Sequence, residues 1–245
     1  RKTVFRNLRR IKLMNSPLIK MLEKVADALT QDLREEMVFI GGCTTSLLLD
    51  PENHSLATRY TYDVDLIVDI TTHAEWYSLE EKIRKLGFVN DQEDNILCRY
   101  KLGNDLIVDF MPTDSNILGF SNYWYEQAIT YKVRYCLPNK LEINILESPY
   151  FLATKFEAYK GRGNNDPLMS KDIEDILTVC MGRSTLVEEI YSSPQELKDY
   201  LSHVLAELQN HNEFQIVLDD QCRYGSKERV KQVINAIIKQ WNKAF

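Results

Sequence analysis

Apolar residues recur at helical spacing through Leu18, Met21, Leu22, Val25, Leu29 and Leu33, which predicts a helix over 16–36. Ser16 and Pro17 supply its start, the serine as N-cap and the proline in the first turn. The all-apolar run 37–40 predicts a short buried strand, ended by Gly41-Gly42. A short helix over 44–49 follows, and Asp50-Pro51 stops it. Residues 51–61 are polar and read as loop. Over 64–70 the chain alternates around acids and is rich in Val and Ile, a strand pattern. An amphipathic helix over 73–86 ends at Gly87. The runs 96–102 and 106–111 predict two strands joined by a hairpin turn at Gly103-Asn104. Residues 122–147 are aromatic and β-branched and predict one or two more strands, 141–146 among them, with a turn at Leu137-Pro138-Asn139. After Pro149 the period becomes helical, with helices expected at 149–160, 170–181, 184–191, 194–209 and 226–243. The expected fold is α/β in the α+β sense, a mixed β-sheet core flanked by helices and followed by a helical C-terminal region. The expected domains are 1–147, a core with its N-terminal helix, and 148–245, a helical domain carrying Lys155 and Asp172. There is no internal repeat and no low-complexity tract.

Charge changes this picture at one end. The 245 residues carry a net charge of −6, yet residues 1–20 hold seven bases (Arg1, Lys2, Arg6, Arg9, Arg10, Lys12, Lys20) and no acid. The rest holds 23 bases against 36 acids, or −13. A basic arm on an acidic body suits either a nucleic-acid or phosphate contact or a solvated terminus. Cys43, Cys98, Cys136, Cys180 and Cys222 are too far apart for C-x-x-C or zinc spacing, and His54, His73, His203 and His211 form no H-x-x-x-H pair. Reduced thiols in a cytoplasmic setting are the expectation. No apolar run approaches a membrane span, and the basic start is not followed by the apolar stretch of a secretory signal.

The chemistry-bearing residues concentrate in a few places. Asp63-Val64-Asp65 opens a strand, so both carboxylates point to one face and Val64 to the other. Two acids so placed suit a hard divalent cation, or are simply two acids at a strand end. Asp109 stands inside an apolar strand, where a lone carboxylate needs a metal or an ion-pair partner. Gly41-Gly42 follows a strand and opens a helix, which lets backbone N–H groups approach a phosphate or merely makes a tight turn; Thr44 and Thr45 could add hydroxyls. Lys155 lies in an apolar helix, with Arg162 beyond it and Asp172 and Asp175 on the next helix. These cations could neutralise a triphosphate, or form Lys155–Asp172 and Arg162–Asp172 ion pairs between packed helices.

Taken together, F-I-G-G at 39–42, R-Y-T-Y-D-V-D-L-I-V at 59–68 and I-V-D-F at 107–110 resemble the polymerase-β-type nucleotidyltransferase superfamily. With L-A-T-K-F-E-A-Y-K-G-R-G at 152–163 and S-K-D-I-E-D-I at 170–176, the chain resembles more closely the AbiEii/AbiGii-toxin-like branch. The resemblance implies transfer of a nucleoside monophosphate from an NTP to an acceptor hydroxyl, with Mg²⁺ or Mn²⁺ as cofactor. It implies that Asp63 and Asp65 hold metal and that Asp109 joins them and helps activate the acceptor. Gly41 and Gly42 would cradle phosphates, Lys155 would bind the triphosphate, and Asp172 would position Lys155 or the base. Arg59 and Thr61 would support the acidic strand. An RNA such as tRNA as acceptor and an antitoxin protein as partner belong to the same implication. The alternative is a non-catalytic nucleotide-binding or protein-interaction module on the same fold. The chain departs from the superfamily's commonest Gly-Ser form by its Gly-Gly and its longer gap to Asp63.

Overall fold

The computed structural model describes residues 16–56, 59–90, 96–162, 166–222 and 226–241. Arg1, Lys2, Arg6, Arg9, Arg10 and Lys12 of the basic arm lie outside the described residues, as do positions 242 and 243 of the last expected helix. The chain divides into two compact units. One comprises Arg59–Glu147 with the described residues up to Thr44; the other comprises 45–58 and the residues from Ser148 onward. The sequence reading placed 45–58 in the first unit.

In the first unit the helix expected over 16–36 is two helices, α1 (Pro17–Ala28) and α2 (Gln31–Glu36). Leu29 turns extended, and the Thr30 hydroxyl caps α2 by accepting from the Leu33 N–H. Arg34 reaches back to the broken end, donating to the carbonyls of Ala26 at 3.0 Å and Leu29 at 2.5 Å, groups that a helix terminus otherwise leaves without a donor. Ser16 stands at the N-cap position of α1, but its side chain makes no capping bond. The apolar period runs on across the break, because Leu18, Leu22, Val25, Leu29 and Leu33 are all buried.

Among the described residues seven strands form one mixed sheet: β1 (Val38–Ile40), β2 (Asp63–Val68), β3 (Phe88–Asn90), β4 (Arg99–Leu102), β5 (Leu106–Pro112), β6 (Lys132–Cys136) and β7 (Glu142–Leu146). Their order is β3-β4-β5-β2-β1-β7-β6. The β2–β5 and β1–β7 pairs are parallel and the other four antiparallel. Helix α3 (His73–Lys85) starts with a Thr72–Glu75 capping box and carries the chain from β2 to β3. Short helices α4 (Ser115–Leu118) and α5 (Tyr125–Thr130) precede β6. Val64, Leu66, Ile67, Val108 and Phe110 have no exposed surface, so β2 and β5 sit at the centre of the unit's core. Phe110 meets Phe88 and Tyr100 edge to face at 5.4 and 5.5 Å, pairs worth about 0.5–1.5 kcal/mol each beyond their burial. Buried Asn144 of β7 donates to the carbonyls of Arg34, Glu35 and Met37, which pins the turn between α2 and β1.

The second unit is helical: α6 (Ser148–Arg162), α7 (Lys171–Gly182), α8 (Leu186–Ser192), α9 (Gln195–Gln209), α10 (Phe214–Gln221) and α11 (Ser226–Trp241). Nine consecutive residues of α6, Ser148 to Phe156, are buried, as expected of a helix surrounded by others rather than lying on a surface. Residues 45–58 belong to this unit because they are tied to the end of α7. The Gly182 carbonyl accepts from the Asp50 N–H (2.9 Å) and the Asn53 side chain (3.0 Å), and the Asp50 carboxylate accepts from the Ser184 N–H (2.9 Å). A Cβ at Gly182 would come within 2.9 Å of Leu49 Cδ2, so glycine permits the approach. Among the described residues no helix is long and apolar enough to cross a membrane.

Candidate metal centre

Strand register assembles the three carboxylates. β2 and β5 run parallel with Asp65 beside Asp109, and Asp63 lies two residues ahead of Asp65 on the same face. One oxygen from each of Asp63, Asp65 and Asp109 lies within 4.8 Å of the others. Asp63 and Asp65 are partly exposed, whereas Asp109 is buried. The set is all oxygen, which suits a hard divalent cation rather than a thiolate- or imidazole-preferring metal.

The surroundings fix each group. Buried Thr61 donates its hydroxyl to Asp63. Arg99 stands directly opposite Asp109 in the antiparallel β4–β5 pair and grips it at two points, Nε to Oδ1 at 2.9 Å and Nη2 to Oδ2 at 2.8 Å. Ile40, Asp65, Asp109 and Arg99 thus form one row across β1, β2, β5 and β4. Gly41 has φ +79°, and a Cβ there would overlap the Asp65 carboxylate and lie 3.0 Å from its Cγ. The glycine therefore makes room for Asp65. Cys98, next to Arg99, has its thiol pushed up to about 12, first by burial and then by the negative charge of Asp109. It stays a thiol at neutral pH.

The other expected residues fall as follows. Gly42 opens a 3₁₀ helix over Gly42–Leu48. Thr44 and Thr45 are 1% and 2% exposed, and the Thr44 hydroxyl donates to the Gly41 carbonyl at 3.0 Å, so the hydroxyls expected to face a nucleotide are turned inward. Arg59 is partly exposed at the approach to β2. Tyr60 and Tyr62, exposed on either side of Thr61, meet edge to face at 4.8 Å. A cleft of about 490 Å³ opens where β2 ends, lined by Val68, Asp69, Ile70, Glu75 and Lys132 among others, and does not include the triad.

In the second unit, Lys155, Arg162, Asp172 and Asp175 form a network of their own. The Lys155 ammonium lies 3.2 Å from Asp172 Oδ1 and 2.7 Å from Asp175 Oδ2, all three side chains being buried. Arg162 adds Nε to Asp172 Oδ2 at 3.1 Å and Nη2 to Oδ1 at 3.0 Å from a mostly exposed position. Both ion pairs read as alternatives from the sequence, Lys155–Asp172 and Arg162–Asp172, are present.

Sequence reasoning did not single out Arg99. The signal was available in the hairpin: pairing Leu102 with Leu106 across the turn places 99 opposite 109.

No protein-family model matches the chain, and no curated protein is similar to it. Among solved structures the chain is similar to that of JHP933 from Helicobacter pylori, at 11% identity over 92% of each chain with a TM-score of 0.47.

Proposed function

We propose that the protein is a divalent-metal-dependent nucleotidyltransferase that moves a nucleoside monophosphate from an NTP to an acceptor hydroxyl and releases pyrophosphate. The observation that supports this best is the in-register pairing of Asp65 with Asp109, with Asp63 on the same face and all three offering an oxygen within 4.8 Å of one another. The donor set fits a hard cation, and Gly41 leaves space for Asp65 where any other residue would displace it. Asp63 and Asp65, partly exposed, would hold the metal on the open side; Asp109 would complete the set from the buried side. A bound Mg²⁺ would draw in phosphate oxygens and neutralise their charge. Thr61 holds the Asp63 carboxylate in place, and Arg99 orients that of Asp109. An RNA acceptor of the tRNA kind, an antitoxin partner and a cytoplasmic setting belong to the same reading; all five cysteines are free thiols.

A second reading, a module that binds nucleotide or protein without turnover, draws on one observation. The ion pair with Arg99 engages both oxygens of Asp109.

The test is a labelling assay with each α-labelled NTP, Mg²⁺ or Mn²⁺, and total RNA, beside the Asp63→Ala/Asp65→Ala double variant. Label entering RNA or protein with the wild type alone is the expected result. Equal labelling by the double variant would remove the site assignment, and metal-dependent NTP binding without transfer would favour the second reading.

A further inference from the structure

We infer that Arg99 is a resident counter-cation of the triad, and that a divalent cation loads at Asp63, Asp65 and Asp109 in competition with Arg99 for the Asp109 carboxylate. The inference rests on the reading of the triad as a metal site and adds a residue that sets how tightly that site loads.

Three observations carry it. First, Arg99 and Asp65 flank Asp109 in the same row of the sheet, Arg99 through the β4–β5 register and Asp65 through β2–β5. Asp109 is thus the one carboxylate of the triad directly opposite both a neighbouring acid and a cation. Second, the guanidinium meets Asp109 through two bonds of 2.9 and 2.8 Å, so each oxygen already has a charged donor. A divalent ion arriving at the third carboxylate must take an oxygen from that fork or share it with a positive charge close by, and either lowers its affinity. Third, the Arg99 side chain is 20% exposed against 9% for Asp109. The arginine borders solvent, while its partner is held in the sheet.

The arrangement has a consequence for the empty and loaded states. Without metal, Arg99 offsets part of the repulsion among three clustered carboxylates. With metal, the ion takes over that role and the guanidinium is released toward solvent or toward an anionic group that enters with the metal. Arg99 therefore acts through Asp109 and is a positioning residue in this scheme.

The test is titration of the full-length protein with Mn²⁺ alone, in low salt after EDTA treatment, followed by calorimetry and by thermal unfolding. Arg99→Gln should bind Mn²⁺ about tenfold more tightly than the wild type, because one nearby positive charge is gone. It should be less stable than the wild type in EDTA and gain more in Tm from Mn²⁺. Arg99→Lys keeps a charge but loses the fork, and should shift affinity in the same direction by less; it serves if the glutamine variant does not fold. Adding Asp109→Asn to Arg99→Gln should abolish the gain. A merely structural arginine would not raise metal affinity when removed. Equal or weaker Mn²⁺ binding by the Arg99 variants, with the wild type binding normally, overturns the competition and leaves the metal site standing. No Mn²⁺ binding by any of the proteins overturns the metal site and the competition together.

Discussion

Replacing Lys155 tests whether that residue serves the fold or a ligand. Lys155→Met keeps an unbranched stem as far as Cε and removes the ammonium with its charge and donors. Asp172 and Asp175, with side chains 5% and 3% exposed, then lose the ammonium that lies 3.2 and 2.7 Å from them. Arg162 stays on Asp172, but its own side chain is 72% exposed, and a largely solvated partner adds little. Breaking a buried pair by removing one partner costs about 3–5 kcal/mol. For a chain of this size each kcal/mol corresponds to roughly 2–4 °C, so the expected loss in Tm is about 6–20 °C. The assay is thermal unfolding by circular dichroism, with a urea titration to check the free energy. Adding Asp172→Asn and Asp175→Asn to Lys155→Met should recover most of the loss, since the orphaned charges are then gone. A Lys155→Met protein that melts with the wild type would refute the reasoning. Should it also bind ATP more weakly, the ammonium would belong to a ligand rather than to α6 and α7.

Three further outcomes are expected. Gly41→Ala should destabilise the first unit by about 1–3 kcal/mol, because φ is +79° and the new methyl overlaps the Asp65 carboxylate; thermal unfolding with and without Mn²⁺ should show lower stability and a lost metal response. Asp63→Asn should raise metal-free stability by about 1 kcal/mol, from Coulomb repulsion at under 5 Å in a largely aqueous dielectric, and the gain should shrink in high salt. A fall in Tm in EDTA would mean that the Asp63 charge supports the fold. Burial pushes the His54 imidazole below its ordinary 6.5, against the opposing pull of the Leu49 carbonyl. The unfolded chain therefore binds the proton first, so stability falls as the pH drops from 6.5 through the lower folded value. His54→Gln should flatten that part of a urea-midpoint profile.

The parts of the fold legible in the sequence are those where one period dominates. β2 and β5 were readable because Val64, Leu66, Val108 and Phe110 are core positions and the acids interrupt them on one face. The break at Leu29 was hidden because the buried stripe continues through it, and what makes it a break is the Thr30 cap and the return of Arg34. β3 has three residues, too few for alternation to register, and is set by pairing with β4. α5 lies in the stretch 122–147, whose aromatic and β-branched composition predicts strand; its buried aromatic residues, Tyr125 and the neighbouring Trp124, hide the helical turn there. α10 falls in a stretch with only Phe214, Val217 and Leu218 buried, a thin apolar face. Nothing local marks 45–58 for the second unit; its place follows from contacts with Gly182, more than 120 positions away. Of the site, the three aspartates were legible from strand position and apolar context. The burial of Thr44 and Thr45 was not legible, because a hydroxyl after Gly-Gly looks available, whereas burial is set by what packs around the turn.

Charge placement separates the two ionic clusters. Lys155, Arg162, Asp172 and Asp175 sum to zero, and the buried Lys155 ammonium touches both buried aspartates directly. Such a set satisfies itself, and its replacement by matched neutral residues is tolerated. Asp63, Asp65 and Asp109 place three carboxylates on one face, with Arg99 paired to Asp109, Lys101 in the row of Ile107 and Asp63, and Arg59 at the approach to β2. Carboxylates held this close repel, by about 1 kcal/mol per pair even in water and more where solvent is excluded. The sheet keeps them in register, with a glycine shaped around one of them, and Arg99 offsets only part of their repulsion. On the reading proposed above, a cation bound there would offset that repulsion, whereas the quartet in α6 and α7 supplies its own counter-charges.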